Sequence, residues 1–541
     1  MIVGRKTNFS LVMPVGPGSE KTIKKAIESI LDQDCEDWEL ICVLNGKWKK
    51  DGVHKLVKRI ADSRICVIDI GDVGNVCTAR NKGAEVANGK YISFFSSDFY
   101  MFPGALNKWK DAFDEHPEVD FVYSGYRLMK DGDLQEAFVP SKPFDVWELE
   151  IMPYIDGGFP VKRECWEEVN WDPKIKSLND WDWWIGIAHA GFKGYFMQDM
   201  TYAAEVPKAG GLSYDSSQNW LERVETIKKK HKIPIRDICV VSLGAAPHAK
   251  RIAKILDADF QVAPQGKPHN YKMIYLVGFY IGQGDSAMAH SQVFANAKDS
   301  IQVISWIGTD ILQLTSVGWK VPYNELKVLI DSLNNRVNLA EFELSHNELD
   351  SMGVNSRIVP LPVEVNWDIM PLPDKFTVAV YAPKTATAEY IYNIKLMKDI
   401  AESCPQYDFI FFGGGIDSKA KNVTSYGWVP MEDVLEQSSC LLRLTYHDGM
   451  PVTPIEFKMA GREAITSVEM PYMFFGGSGI VHKENYAEKK EGIIKLLRDV
   501  NKKQKTAKYK REAKKAREFY IDLNSPKKFK KAVYDILKEK K

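Results

Sequence analysis

Apolar residues in this chain fall in short runs rich in Val, Ile, Phe and Tyr, and between the runs they recur every three to four positions. Runs of that length without polar alternation read as strands buried on both faces, and the intervening stretches read as amphipathic helices. A first series predicts strands at 9–15, 39–44, 65–70, 91–95 and 121–126, with a helix over 19–31 whose apolar positions 23, 26, 27, 30 and 31 share one face. A charged helix over 221–232 ends at Ile233-Pro234 and closes that series. A second series has strands at 238–243, 273–277, 301–306, 336–339 and 357–360. Residues 361–374, with Pro362, Pro371 and Pro373, read as a linker. A third series has strands at 377–381, 408–412, 440–444 and 464–467. Strand–helix alternation throughout predicts an α/β chain with parallel sheets, divided at 1–234, 235–364 and 365–541.

Composition changes this picture little. At 541 residues, 45% hydrophobic and 27% charged, the chain has length for roughly three to four domains of ~150 residues. Its 72 basic and 72 acidic side chains cancel, so the chain as a whole gives no argument for a polyanionic partner. Residues 483–541 differ, with 21 Lys and Arg against 9 Asp and Glu. Such a segment reads as a solvated lysine-rich helical tail or as a face for phosphate or anionic lipid. Eight scattered cysteines without a CxxC pair read as reduced core thiols rather than a disulfide framework or zinc site. No stretch approaches the ~18 to 20 apolar residues of a membrane span, and the first residues lack a signal-like apolar core. These features point to a cytoplasmic protein with at most peripheral membrane contact.

In doubly wound sheets ligands collect at the carboxyl ends of strands, which makes the residues after each apolar run the candidates. The first run ends in Pro14-Val15-Gly16-Pro17-Gly18, a glycine turn into a helix whose N-terminal amides suit a diphosphate, or a turn with a structural role alone. The second ends in Asn45-Gly46 and the fourth in Phe94-Phe95-Ser96-Ser97-Asp98. Farther on, Leu178-Asn179-Asp180-Trp181-Asp182-Trp183-Trp184 opens an apolar helical stretch, where Asp180 fits either a helix cap or a site carboxylate.

The block Ala79-Arg80-Asn81-Lys82-Gly83, followed by Ala87-Asn88-Gly89-Lys90-Tyr91-Ile92-Ser93-Phe94-Phe95, resembles the core of glycosyltransferase family 2, with Pro103 and Leu106 at the matching places. The resemblance runs over roughly residues 8 to 215. It implies a GT-A fold, a Rossmann-like nucleotide-diphospho-sugar transferase domain, using a UDP-linked sugar donor, Mn²⁺ or Mg²⁺ and a glycan acceptor. Ser96-Ser97-Asp98 stands where the family has its acidic metal-binding element, so Asp98 alone is left to hold the cation. Mg²⁺ on a diphosphate tolerates this, because water and phosphate oxygens complete its octahedron. By the same resemblance Pro14, Val15, Ser96 and Arg80 lie at the donor, and Asn45 replaces an aspartate that contacts the base. Gly157 and Gly158, in Pro153-Tyr154-Ile155-Asp156-Gly157-Gly158-Phe159, present backbone to the donor sugar and acceptor. Asp180 matches the general base of an inverting transfer, and Asp182 either orients the acceptor or is structural. Pro207-Lys208-Ala209-Gly210-Gly211-Leu212-Ser213 lacks the histidine that some relatives add as a metal ligand.

Residues 377 to about 500 resemble the C-terminal domain of GT-B glycosyltransferases, particularly family 4, through His447-Asp448-Gly449-Met450-Pro451-Val452-Thr453-Pro454-Ile455-Glu456 and the following Phe457-Lys458-Met459-Ala460-Gly461. Residues 235–364 would then be the partner Rossmann-like domain of a GT-B module. The resemblance implies that Glu456 holds the donor ribose and that Asp448 and Gly449 lie near its sugar. Gly414, after a strand, and Lys384 complete that second donor site. Lys384 stands alone where the fold usually places an Arg and a Lys on the diphosphate, so the module reads as a second transferase or a degenerate one. The expectation is a two-module glycosyltransferase. Two other readings stay open: an enzyme glycosylating hydroxymethylated DNA bases, supported by the basic tail alone, and a non-catalytic glycan-binding scaffold.

Overall fold

β1 (Phe9–Val15) and β2 (Trp38–Leu44) are buried along nearly their whole length, as apolar runs without alternation require. In the computed structural model the described residues are 7–47, 51–206, 220–242, 246–262, 271–280, 292–295, 297–318, 322–384, 388–479, 481–482 and 484–539. They form two units, Met1–Ile235 and Arg236–Lys541. Both are mixed α/β with Rossmann-like sheets.

The further strands of the first unit are β3 (Ile65–Asp69), β4 (Tyr91–Ser93), β5 (Phe99–Met101), β6 (Phe121–Tyr123), β7 (Tyr126–Lys130), β8 (Asp133–Val139), β9 (Pro160–Lys162), β10 (Gly194–Phe196) and β11 (Tyr202–Glu205). Its helices include α1 (Ile23–Leu31), α2 (Asp51–Ile60), α3 (Val76–Val86), α4 (Ala105–Glu115), α5 (Val146–Ile151), α6 (Arg163–Glu168) and α7 (Asn179–His189). The main sheet has the order β10-β6-β9-β4-β1-β2-β3, and β5-β11-β7-β8 form a smaller one. β1 runs parallel to both β2 and β4, and β9 is antiparallel to its neighbours. The chain leaves β1 toward β2 and β3 on one side and returns to β4 on the other, which opens a crevice at their carboxyl ends. Gly16, Asn45 and Ser96 to Asp98 all follow strands ending at that edge.

In the first unit the strands predicted at 91–95 and 121–126 stop well short of their apolar runs. The ladder of β4 stops at Ser93 because Phe94 and Phe95 turn inward, Phe94 meeting Trp171 and Trp183 edge-on at 5.1 and 5.3 Å. The run 121–126 breaks at Ser124-Gly125 and passes from one sheet to the other. Gly125 sits where an added Cβ would stand 2.7 Å from the Val139 carbonyl oxygen.

The second unit carries two parallel six-stranded sheets. The first orders β13 (Asp259–Val262), β12 (Ile238–Ser242), β14 (Met273–Val277), β15 (Ile301–Trp306), β16 (Val337–Ala340) and β17 (Ser356–Ile358). The second orders β20 (Val423–Ser425), β19 (Asp408–Phe412), β18 (Thr377–Tyr381), β21 (Cys440–Arg443), β22 (Glu463–Thr466) and β23 (Phe474–Phe475). Residues 361–374 have no regular structure, yet they are pinned rather than loose. Leu361 and Val363 are buried, and the Arg462 guanidinium donates to the carbonyls of Met370 and Pro371 at 2.8 and 2.7 Å. The lysine-rich segment forms helices Tyr486–Gln504, Tyr509–Leu523 and Pro526–Glu539. The last of these buries Phe529, Val533, Ile536 and Leu537 and returns to the first sheet, where Phe529 meets Tyr275 and the Tyr534 hydroxyl donates to the Leu256 carbonyl at 3.0 Å. All eight cysteines are free, and among the described residues no helix is long and apolar enough to cross a membrane.

α3 carries the first site residue, and its seat on the sheet depends on one glycine. Asn75 caps the helix, its Oδ1 accepting from Cys77 N at 3.0 Å and Thr78 N at 3.3 Å. Gly83 faces β1 and β2 so closely that a Cβ would lie 2.3 Å from Val12 Cγ1 and 2.9 Å from Val43 Cγ2. Gly83→Ala is therefore expected to destabilise the protein by roughly 1–3 kcal/mol through overpacking, measured by chemical denaturation. An unchanged midpoint would show that α3 is free to shift off the sheet.

Candidate active site

Arg80 projects from the face of α3 that Gly83 holds against the sheet, and it is buried. Its guanidinium stacks 3.9 Å from the Trp171 ring centroid, and Nη1 donates to Asp180 Oδ1 at 2.6 Å and to Asn179 Oδ1 at 3.1 Å. A planar, permanently charged group between an indole face and a carboxylate has little freedom to turn. Asp180 lies in the first turn of α7, after Leu178 in a left-handed conformation (φ 55°), and its side chain remains 36% exposed. The rest of α7 is anchored by tryptophans. Trp181, Trp183 and Trp184 are buried, and their indole N–H groups donate to the carbonyls of Leu149, Val169 and Asp156. Two residues placed 100 apart in the chain are thus brought together on rigid elements.

The loop at Gly157 and Gly158 crosses directly over this pair. A Cβ at Gly157 would stand 2.7 Å from Asp180 Oδ1, so glycine is what permits the approach. Ser93 Oγ donates to the Gly158 carbonyl at 2.6 Å, tying the loop to the end of β4. Ahead of the glycines stands Asp156, a site carboxylate that the sequence reading did not single out. Its Oδ1 accepts from the Tyr202 hydroxyl at 2.7 Å and from Gly158 N at 2.9 Å. Burial, and then the charge of Asp180, push its carboxyl up to about 6. Tyr202 is fully buried and stacks on Phe99 at 4.9 Å, next to Asp98 in the chain.

Asp98 accepts from Ser96 Oγ at 2.5 Å, and the neighbouring Ser97 hydroxyl donates to Ser19 Oγ at 2.9 Å. Burial holds the Asp98 carboxyl above the usual range, the Ser96 hydrogen bond opposes this, and the charge of Glu205 adds to it. Glu205 Oε1 accepts from Gly132 N at 2.6 Å, whereas its Oε2 is buried and has no partner among the described residues. Both carboxylates line a cavity of about 450 Å³ together with Lys21, Lys25 and Asp131. Among the described residues no three His, Cys, Asp or Glu gather into a metal cluster. Two oxygen donors fit a hard divalent cation that draws its other ligands from phosphate and water, and such an ion would relieve the unfavourable burial of Asp98. Pro207 to Ser213, singled out for their missing histidine, lie outside the described residues.

Four other candidates are held by contacts within the fold. Asp182 is 3% exposed and is held by Lys230 Nζ at 2.7 Å and His231 Nε2 at 2.8 Å. A step of two residues turns a helix by about 200°, so Asp182 faces away from Asp180 and ties the helix Trp220–Lys230 to α7. These contacts favour the structural alternative over the acceptor-orienting one. Asn45 is buried, its amide donating to the Gly74 and Asn75 carbonyls at 3.1 and 3.2 Å and accepting from Val73 N at 3.4 Å, which fixes the loop leading into α3. Pro14 and Val15 lie within β1, with the Val15 carbonyl accepting from Asn45 N at 3.0 Å.

In the second unit, Asp448 Oδ2 accepts from Arg443 Nε at 2.7 Å and Thr445 Oγ1 at 3.2 Å. Gly449 packs against the loop after β15, where a Cβ on Gly308 would stand 2.3 Å from Gly449 N. Glu341, 2% exposed, accepts from Met450 N at 2.7 Å across the two sheets. Burial pushes Glu456 up to about 7, opposed by the nearby Arg251. Lys384 is exposed and meets Gly414 at the ends of β18 and β19 through the Pro383–Gly414 bridge. Arg443, Glu341 and Arg251 carried no signal in the linear motif.

The raised carboxyl of Asp156 gives a signed expectation. Its stabilising contribution is complete below the unfolded value of about 3.9 and is lost as pH rises through about 6. Asp156→Asn, neutral throughout and still able to accept from Tyr202, should therefore melt above the wild type at pH 8 and level with it at pH 4. Equal melting temperatures at both values would contradict the assignment of charge at this position.

Comparisons with known proteins bear on this geometry. Residues 10–196 match the sequence profile described as Glycosyl transferase family 2. The chain is 24% identical over 231 residues to an uncharacterized glycosyltransferase of Methanocaldococcus jannaschii, covering 41% of this chain and 76% of that protein. It is 32% identical over 110 residues to the UDP-Glc:alpha-D-GlcNAc-diphosphoundecaprenol beta-1,3-glucosyltransferase WfaP of Escherichia coli, covering 20% of this chain and 43% of that protein. The solved structure of S. aureus TarS 1-349 in complex with UDP-GlcNAc is similar at a TM-score of 0.34 and 15% identity, covering 61% of this chain and 80% of that one. The first unit carries a glycosyltransferase family 2 domain, and the chain is a glycosyltransferase.

Proposed function

We propose that the first unit, with a GT-A fold over 1–234, transfers a sugar from a UDP-linked donor to a hydroxyl of a glycan acceptor, with inversion. The observation that carries this reading is Asp180: a half-open carboxylate locked by Arg80 beneath a glycine loop, at the strand-end edge that Asp98 shares. Asp180 takes the proton of the acceptor hydroxyl as its oxygen attacks the anomeric carbon, and the bond from that carbon to the diphosphate breaks on the opposite side. One displacement from one face inverts the anomeric centre. Asp98, with Glu205 beside it, would hold Mn²⁺ or Mg²⁺, and the ion would supply charge neutralisation for the departing diphosphate. Arg80 orients the base and keeps its charge from facing the site unpaired. The name of the relative WfaP, a UDP-Glc:alpha-D-GlcNAc-diphosphoundecaprenol beta-1,3-glucosyltransferase, supports a UDP donor and a sugar acceptor.

We read the second unit as a GT-B-like module, its halves 235–364 and 365–541, with Asp448, Gly449 and Glu456 on its donor side. The Arg443–Asp448 pair and the backbone contact between Gly308 and Gly449 support a binding or organising role over a second transferase. A fold of this kind does not by itself establish catalysis.

The test is nucleotide release and sugar transfer from UDP-sugars, with Mn²⁺ or EDTA. Asp180→Asn should lose roughly 100- to 10,000-fold in transfer, the range for removal of a general base. Asp98→Ala should lose most of the Mn²⁺ stimulation, and Glu456→Ala should leave transfer by the first unit unaltered. Wild-type turnover by Asp180→Asn, or full activity of the wild type in EDTA, would overturn the corresponding assignment.

A further inference from the structure

Asp156 is a site carboxylate for which the proposed reaction has no use. Its Oδ1 is fixed by the Tyr202 hydroxyl and the Gly158 N–H, and its carbonyl oxygen accepts from Trp184 Nε1 at 3.2 Å. Among the described residues its Oδ2 has no hydrogen-bond partner. The loop that Asp156 heads presses on the base, since a Cβ at Gly157 would stand 2.7 Å from Asp180 Oδ1 and one at Gly158 would stand 3.2 Å from Asp156 Oδ1. Gly157 thus joins the Asp156 end of the loop to the half-exposed carboxylate of Asp180. Arg80 engages Asp180, and Tyr126 and Tyr202 stand next to Asp156, stacked on each other at 5.7 Å.

Resting on the reading of Asp180 as base, we propose that Asp156 and Asp180 together grip a vicinal diol of the acceptor sugar. Asp180 takes the attacking hydroxyl, and Asp156 Oδ2 takes the hydroxyl on the adjacent carbon. Ionised carboxylates accept hydrogen bonds and donate none, so the occupant must bring two O–H donors. An acceptor with one hydroxyl would leave the second carboxylate desolvated and unpaired, which is costly. Two O–H···O⁻ bonds from neighbouring carbons satisfy both groups and fix the ring. Burial, and then the charge of Asp180, push the Asp156 carboxyl up to about 6, a cost that O–H donors from an acceptor would relieve. Asp156 receives no proton in the reaction. The acceptor proton goes to Asp180, the new bond joins the acceptor oxygen to the anomeric carbon, and the leaving diphosphate takes the electron pair of the bond that breaks.

The experiment compares wild type and Asp156→Asn with UDP-glucose, UDP-galactose and UDP-N-acetylglucosamine in Mn²⁺. Two reactions are followed: hydrolysis by water, and transfer to methyl β-glucoside and its 2-, 3- and 4-deoxy forms. In Asp156→Asn transfer should fall at least tenfold more than hydrolysis, chiefly through a raised acceptor KM. Among the deoxy forms that still accept sugar, the one that most impairs the wild type should cost the variant little more, because that hydroxyl and the Asp156 carboxylate belong to one interaction. Equal losses in hydrolysis and transfer would mark Asp156 as merely structural. Additive losses in the cycle, or no transfer to any glucoside by a wild type that hydrolyses donor, would overturn the diol grip. A wild type that hydrolyses none of the three donors would instead remove the proposed function beneath it.

Discussion

The first unit is organised around an ion pair whose cation is buried and whose carboxylate is half-exposed. Arg80 lies between the Trp171 ring and Asp180 Oδ1, so neither the cation nor the carboxylate can leave without stranding the other. Removing Asp180 would leave the buried guanidinium of Arg80 without its charge partner, which is costly, whereas the intact pair fixes geometry more than it adds stability. The structural features around it serve that geometry. Gly83 lets α3 lie flat on β1 and β2, Asn75 caps the helix start, and three indoles lock α7. The loop through Gly157 then closes over the pair at a distance no side chain would allow.

On the open side of that pair the site collects carboxyl groups with few cations to match. Asp156 and Asp98 are both held above the usual carboxylate range, chiefly by burial, and Glu205 keeps one buried oxygen without a partner among the described residues. A folded protein tolerates such groups where a ligand later satisfies them, and unfavourable burial of this kind concentrates at functional sites. The arrangement separates two tasks by chemistry. In the proposed reaction, hydroxyl donors would satisfy the Asp156–Asp180 side, and a hard cation with its diphosphate would satisfy the Asp98–Glu205 side. Tyr202 joins them physically, binding Asp156 while stacking on Phe99 beside Asp98.

The strands at 9–15, 273–277, 301–306, 377–381 and 408–412 were legible residue for residue, because a parallel strand covered on both faces needs an unbroken apolar run. β8 (Asp133–Val139) was not legible, since it is a largely exposed edge strand with no core face to demand alternation. β5, β9 and β10 have three residues each, too few for any period to show. At the site, Arg80, Asp98 and Asp180 stood out through their setting in ordered motifs. Asp182 shared the motif of Asp180 and was grouped with it, but helical rotation sends neighbouring acids to opposite faces. Residues 361–374 looked like a linker from their prolines, although Arg462 and the buried Leu361 and Val363 hold them down.

By itself the sequence determined the succession of buried strands and amphipathic helices, the strand-end positions of the candidate residues and the likeness to a sugar-transfer family. Those are local properties, set by periodicity and by short ordered motifs. Only the tertiary structure decided which groups meet: Arg80 with Asp180 across 100 residues, Asp156 with Tyr202, and Asp98 with Glu205. The physical reason is that pairing and desolvation depend on distance in space. Sheet order and loop path set that distance, and neither is written in the spacing of residues along the chain.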